Sequence, residues 1–120
     1  MKNFIPTHIA RILFGFVMIV FGLFHFLLGE KMAGAVPAFL PGSVIWVYVT
    51  GLALAAAGLA FVLEQKMKLA GYLLALMLVA FIALVHAPKM GTDPNAIGQM
   101  LKDLGLAMGA VLIANASDDE

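Results

Sequence analysis

The sequence predicts an all-α protein, an integral membrane four-helix bundle running up-down-up-down in a single domain of residues 1–120. Three observations carry this. The chain is 63% hydrophobic and only 12% charged, whereas a soluble domain carries ~25% charged residues. So short and apolar a chain has no polar shell with which to cover a core. Its apolar residues fall into four stretches, each near the ~20 residues that carry a helix across a bilayer. The connections between them are short, which makes successive helices antiparallel neighbours.

The same composition removes several function classes. Net charge is +0 with no basic run, so nucleic acid binding lacks its electrostatic footprint. The chain has no cysteine, which excludes disulfides, cysteine-bound metal and thiol redox steps on this polypeptide.

The first crossing, about 8–29, contains 18 residues from Ile12 to Gly29 without Asp, Glu, Lys or Arg. Arg11, Gly15, Met18, Gly22, His25 and Gly29 follow at spacings of 4, 3, 4, 3 and 4, which places them on one helical stripe. Glycines on such a stripe admit a second helix closely, and a histidine among them faces inward rather than toward acyl chains. A signal peptide's apolar region spans only ~7–15 residues, so this longer stretch reads as a retained helix despite the small residues Ala33-Gly34-Ala35.

Met32 to Leu63 is uncharged for 32 residues, too long for one upright crossing. Pro37 and Pro41-Gly42-Ser43 divide it. Met32 to Pro41 is expected as a loop, because each proline disfavours helix in the residue before it. Ser43 is the expected N-cap of a second crossing, about 44–63, with Trp46 and Tyr48 near its start, where aromatic rings favour the membrane boundary. Tyr48, Gly51, Ala55 and Gly58 form a second small-residue stripe. After the polar turn Glu64 to Lys68, a third crossing covers about 69–87 and is expected to stop at Pro88. Met90 to Asn95 is rich in turn residues, and the last crossing covers about 97–116. Gly105-x-x-x-Gly109 within it is a close-packing motif of membrane helices.

Lys2, Arg11, Lys66 and Lys68 lie on one side of this topology, and Lys31, Lys89 and Lys102 on or near the other. The bias places both termini in the cytoplasm. Alternating helix direction also gathers His25, Trp46, Tyr48, His86, Lys102 and Asp103 at the outer end. The loop 30–43, with apolar Val36, Phe39 and Leu40, crosses that end as a lid. Ionisable groups at membrane depth are costly and face an interior or a water-filled cavity, so a ligand pocket at the outer mouth is expected.

Each residue has a plainer alternative. Lys102 and Asp103 are adjacent on a helix and are not expected to face each other, and Lys102 reads equally as a snorkelling anchor. Asp103 needs a partner or a proton, which either histidine supplies. His86 reads as interfacial, Arg11 as an inner-leaflet anchor, Trp46 as a belt residue and Tyr48 as belt or pocket wall. Two histidines and one aspartate match no local ligand motif, so no metal is assigned. Ser43 and Ser117 are badly placed for a Ser-His-Asp hydrolase, and no phosphate-binding glycine loop is present.

With these residues assembled, the chain resembles the DoxX-like family of small bacterial four-helix membrane proteins. The resemblance rests on Arg11-x-x-x-Gly15, Phe21-Gly22-x-x-His25-Phe26 and Val36-Pro37-x-x-x-Pro41. Trp46-Val-Tyr48-x-x-Gly51 and Lys102-Asp103-Leu104 complete it. It implies a bacterial inner-membrane protein related in kind to a subunit of a thiosulfate:quinone oxidoreductase. Without cysteine the chain cannot relay sulfur on a thiol, which leaves a quinone or other apolar ligand as the transferable part. The resulting expectation is a redox-associated accessory with a quinone-like ligand at the outer mouth. His25 and Lys102 would donate hydrogen bonds to its carbonyls, Asp103 and His86 would pass protons, and a membrane or peripheral redox partner would supply electrons. The alternatives are a non-catalytic scaffold or interaction subunit, whose glycine stripes pack against a second copy in a homodimer or against a partner subunit, and a small proton-coupled transporter.

Overall fold

The computed structural model describes residues 3–118, so Lys2 and the last two residues of the acidic tail, on which parts of the orientation reading rest, lie outside the described residues. Five helices follow in order: α1 (Thr7–Leu27), α2 (Gly29–Met32), α3 (Ser43–Leu63), α4 (Met67–Phe81) and α5 (Ala96–Ala116). A π turn, Ile82–His86, and a 3-10 turn, Ala87–Lys89, continue α4. Among the described residues there is no strand. Four spans of 21, 21, 23 and 21 residues are long and apolar enough to cross a membrane. At 1.5 Å per residue, each is ~31 Å or longer, against a hydrocarbon core of ~30 Å.

The boundaries differ from the sequence expectation in four places, each with a local cause. The first crossing breaks at Leu28 (φ −114°, ψ 21°) and resumes as α2 and a 3-10 turn, Ala33–Ala35, so the expected loop begins only at Val36. Ser43 is the first helical residue rather than the cap. Gly42, left-handed at φ 70°, takes the N-cap position, and no side chain caps it. Pro88 does not end the third crossing, because it enters the first turn of the 3-10 segment, where a missing N–H costs nothing. That crossing also begins two residues early, at Met67.

The bundle is two tight helix pairs joined by a looser seam. α1 lies along α3, and α4 along α5. In the first pair the predicted stripes meet backbone to backbone. A Cβ built on Gly15 would lie 2.6 Å from the Gly58 carbonyl oxygen, and one on Gly22 would lie 2.6 Å from that of Gly51. A homodimer through these glycines would have to unpack α1 from α3. In the second pair Gly71 faces α5, and a Cβ there would lie 2.7 Å from the Ala110 carbonyl oxygen. Ala107, Ala110 and Ala114 are fully buried, so they form the close-packing face of α5.

The expected Gly105/Gly109 motif does not serve that purpose. Gly105 has nothing within 4 Å of its added Cβ, and Gly109 faces the Phe14 ring on α1. The alanine face at i, i+3 and i+7 fills the position those glycines were expected to occupy. Between the pairs, Met18, Leu54, Phe61, Leu74, Leu78 and Ala107 form the core. Phe14 meets Phe61 edge-on at 5.8 Å, the offset geometry aromatic quadrupoles favour. At the end that holds the N-terminus of α1, Arg11 pairs with Glu64 at 3.6 Å, tying α1 to the α3–α4 turn. The Tyr72 hydroxyl donates to Asn115 across α4 and α5.

Replacing Gly58 by valine forces the backbones of α1 and α3 apart. The expected cost is about 1–3 kcal/mol, the range for overpacking, read as a lowered Tm of the detergent-solubilised protein. Gly105→Val, with open space around it, should change stability by less than about 0.5 kcal/mol.

Candidate functional site

At one end the two helix pairs part around a cavity of about 720 Å³, well inside the ~300–1,000 Å³ of small-molecule sites. α1 contributes Met18, Phe21, Phe24 and His25 to its wall, and Leu28 at the break after it adds to them; α3 contributes Trp46, Val47, Thr50 and Leu54. The π turn contributes Leu84, Val85 and His86, and α5 contributes Gln99, Lys102, Asp103 and Leu106. Met32, Ala35, Val36, Pro37 and Leu40 close one side. The 30–43 segment therefore does wall the mouth, although Phe39 is 72% exposed and takes no part. The Trp46 indole N–H donates to the Pro41 carbonyl at 2.7 Å and holds this segment to the start of α3.

Five of the six expected residues meet here: His25, Trp46, His86, Lys102 and Asp103 all line the cavity. Tyr48 does not. Its ring stacks on Phe26 at 5.8 Å and covers Gly29, outside the cavity wall. Two residues along a helix rotate a side chain by ~200°, so Trp46 and Tyr48 point to opposite sides of α3. Trp46 is not only a belt residue, since the same ring lines the cavity.

His25 is fixed by its own helix. Its Nδ1–H donates to the Phe21 carbonyl at 2.7 Å. A carbonyl only accepts, so the neutral ring presents Nε2 as an acceptor. This corrects the expected donor role toward ligand carbonyls: the proton His25 would give is already committed to Phe21.

Asp103 is 3% exposed. Its Oδ2 lies 3.1 Å from His86 Nε2, yet Oδ2 is buried with no hydrogen-bond partner. The distance alone suits a bond; the ring N–H is not aligned with the oxygen, so the contact is a close approach, an ion pair only when His86 is protonated, and not a hydrogen bond. His86, with its side chain 20% exposed, faces the site and not the interface. The cause is the π turn. One residue added to a turn rotates everything after it by about 100° relative to an α-helix, and His86 ends that turn.

Lys102 and Asp103 do approach each other, against the expectation from adjacent helix positions. Lys102 Nζ lies 3.5 Å from Asp103 Oδ1, because its flexible four-carbon stem curls back. The same ammonium donates to Gln99 Oε1 at 2.8 Å and sits 5.5 Å from the Phe21 ring centroid, within cation–π range. With Nζ at the cavity wall, Lys102 is more than a snorkelling anchor.

Sequence reasoning missed Lys89, Asp93, Asn95 and Gln99 on the cavity rim, and Thr50 in its wall. Two were legible: Gln99 stands three residues before Lys102, and Thr50 four after Trp46, both same-face spacings. Asp93 and Asn95 reach the rim through the fold of the connection, where the Asn95 N–H donates to Asp93 Oδ1 at 2.9 Å. Among the described residues no group of three or more His, Asp or Glu is placed to hold a metal ion.

The fold and site define a helical bundle of membrane-spanning composition with an apolar cavity and a polar cluster at one end. The chain belongs to the family described as Domain of unknown function (DUF8561), whose model matches residues 14–118. No curated protein matches it, and no solved structure does.

Removing one member of the His86–Asp103 pair strands the other. His86→Leu should cost about 3–5 kcal/mol, the range for breaking a buried pair. His86→Leu with Asp103→Leu should recover much of it. Thermal unfolding of both single variants and the double variant measures the coupling, expected at about 1–3 kcal/mol; additive losses would show that the two side chains act separately.

Proposed function

We propose that this protein is a bacterial inner-membrane protein of DoxX-like type, a redox-associated accessory that binds a quinone-like amphiphile in the mouth cavity. The observation that carries the reading is the cavity itself: about 720 Å³, walled by aromatic and aliphatic side chains, with Asp103, His86, Lys102 and His25 gathered on its surface. A ring with an apolar tail suits such walls, and a few polar groups orient its head. Lys102 is the donor available to a ligand oxygen. Electrons would come from a membrane or peripheral partner protein, since no residue here carries them.

Trp46 is the sole tryptophan and lines the cavity, so its fluorescence reports occupancy. A short-chain ubiquinone or menaquinone analogue should quench Trp46 saturably. At a hundredfold excess over Kd it should stabilise the protein by about 2.7 kcal/mol, seen as a raised Tm. Quenching that never saturates, with an unchanged Tm and no ligand in native mass spectra, would end this reading.

The orientation proposed places the cavity on the extracytoplasmic side and both termini in the cytoplasm. With no native cysteine, Ser117→Cys should be labelled by an impermeant maleimide only after the cytoplasmic face is opened. Gly91→Cys should label in intact spheroplasts.

A non-catalytic scaffold draws on a different observation. Gly98 and Gly105 have nothing within 4 Å, a small-residue surface on α5 free to receive another helix. On that reading His25→Leu and Asp103→Leu lower stability and leave quinone quenching unaffected.

A further inference from the structure

The polar groups of the cavity are not neutral as to what they bind. His25 Nδ1–H is committed to the Phe21 carbonyl at 2.7 Å, so the neutral imidazole offers Nε2, an acceptor. Among the described residues nothing donates to it. The Asp103 carboxylate, 3% exposed, also holds an unmatched acceptor. Oδ2 is buried and unbonded, His86 Nε2 stands 3.1 Å away off the bonding axis, and Lys102, which gives one of its three N–H groups to Gln99, lies 3.5 Å from the other oxygen, Oδ1. Two acceptors from separate helices therefore face one cavity. A buried acceptor left unmatched is penalised, and one matched to a donor is not.

We propose that this cavity selects ligands whose head brings hydrogen-bond donors, a phenol or hydroquinone in preference to a quinone, whose carbonyls only accept. The inference rests on the ligand-cavity reading and sharpens it. A phenolic hydroxyl donates to His25 Nε2 or Asp103 and still accepts from the Lys102 ammonium. A quinone carbonyl gains only the last of these and brings its lone pairs toward a carboxylate. The preference belongs to binding alone, and no electron transfer is needed to observe it.

A para-alkylphenol and its O-methyl ether test this without redox chemistry, since they differ in one donor and share the apolar body. Each is titrated into protein in bilayer nanodiscs as a competitor of quinone quenching at Trp46, with affinity expressed per lipid-dissolved ligand so that partitioning cancels. The phenol should compete about tenfold better or more, the scale of one hydrogen bond to a charged acceptor, and a ubiquinol should outcompete its ubiquinone under anaerobic conditions. Asp103→Asn should shrink the phenol-to-ether ratio several-fold. If that variant does not fold, His25→Leu, on another helix, should do the same. Equal competition by phenol and ether, or a ratio that neither variant changes, overturns the proposal and leaves the ligand cavity standing. If neither competes and quinone does not quench saturably, both readings fall together.

Discussion

The approach of α1 and α3 at Gly15–Gly58 and Gly22–Gly51 constrains much of the remaining structure. Carbonyl oxygens stand where any side chain would put a Cβ, so the two helices pack main chain to main chain. In lipid, where tails are as apolar as leucine, such close packing replaces the hydrophobic drive that joins helices in water. The contact also fixes the rotation of α1 about its axis. A Cβ on Gly51 would lie 2.8 Å from the Cβ of His25, so the glycines that seat the helix also set the direction of the imidazole. The second pair, held by Gly71 and the alanines of α5, is equally tight. The looser seam between the pairs is where space opens.

Within that space Asp103 is the expensive group. An acceptor buried without a hydrogen bond costs about 1–3 kcal/mol, and an ion pair at 3.1 Å without alignment offsets only part of it. Proteins retain such groups where chemistry or recognition uses them. The neighbourhood of Asp103 fits this: Lys102 stands at 3.5 Å, His86, a second cation when protonated, at 3.1 Å, and an apolar wall runs from Phe21 to Leu106.

The sequence made the architecture legible because membrane helices announce themselves by length and by the placing of small residues. The stripe Gly15, Met18, Gly22 and Gly29 is buried throughout. Alternating direction was enough to bring residues 25, 46, 86, 102 and 103 to one end. What stayed hidden was rotational and conformational detail. Whether Tyr48 or Trp46 faces the cavity depends on the rotation of α3, which the glycine contacts set. The inward turn of His86 comes from a π turn with no residue signature, and the Lys102–Asp103 approach from side-chain flexibility that helix spacing does not describe. His25 as an acceptor follows from a bond to its own backbone, which only coordinates reveal.

The π turn at Ile82–His86 makes the partnership of His86 with Asp103 a matter of chain length as much as of residue type. If the segment relaxed into regular α-helix with every residue kept, the imidazole would swing about a quarter-turn away, with both ionisable residues still present, whereas deleting one residue within the turn would cancel the offset and hold its direction. The segment can absorb substitutions among similar apolar residues, whereas a change that made the turn regular at full length would dismantle the polar cluster.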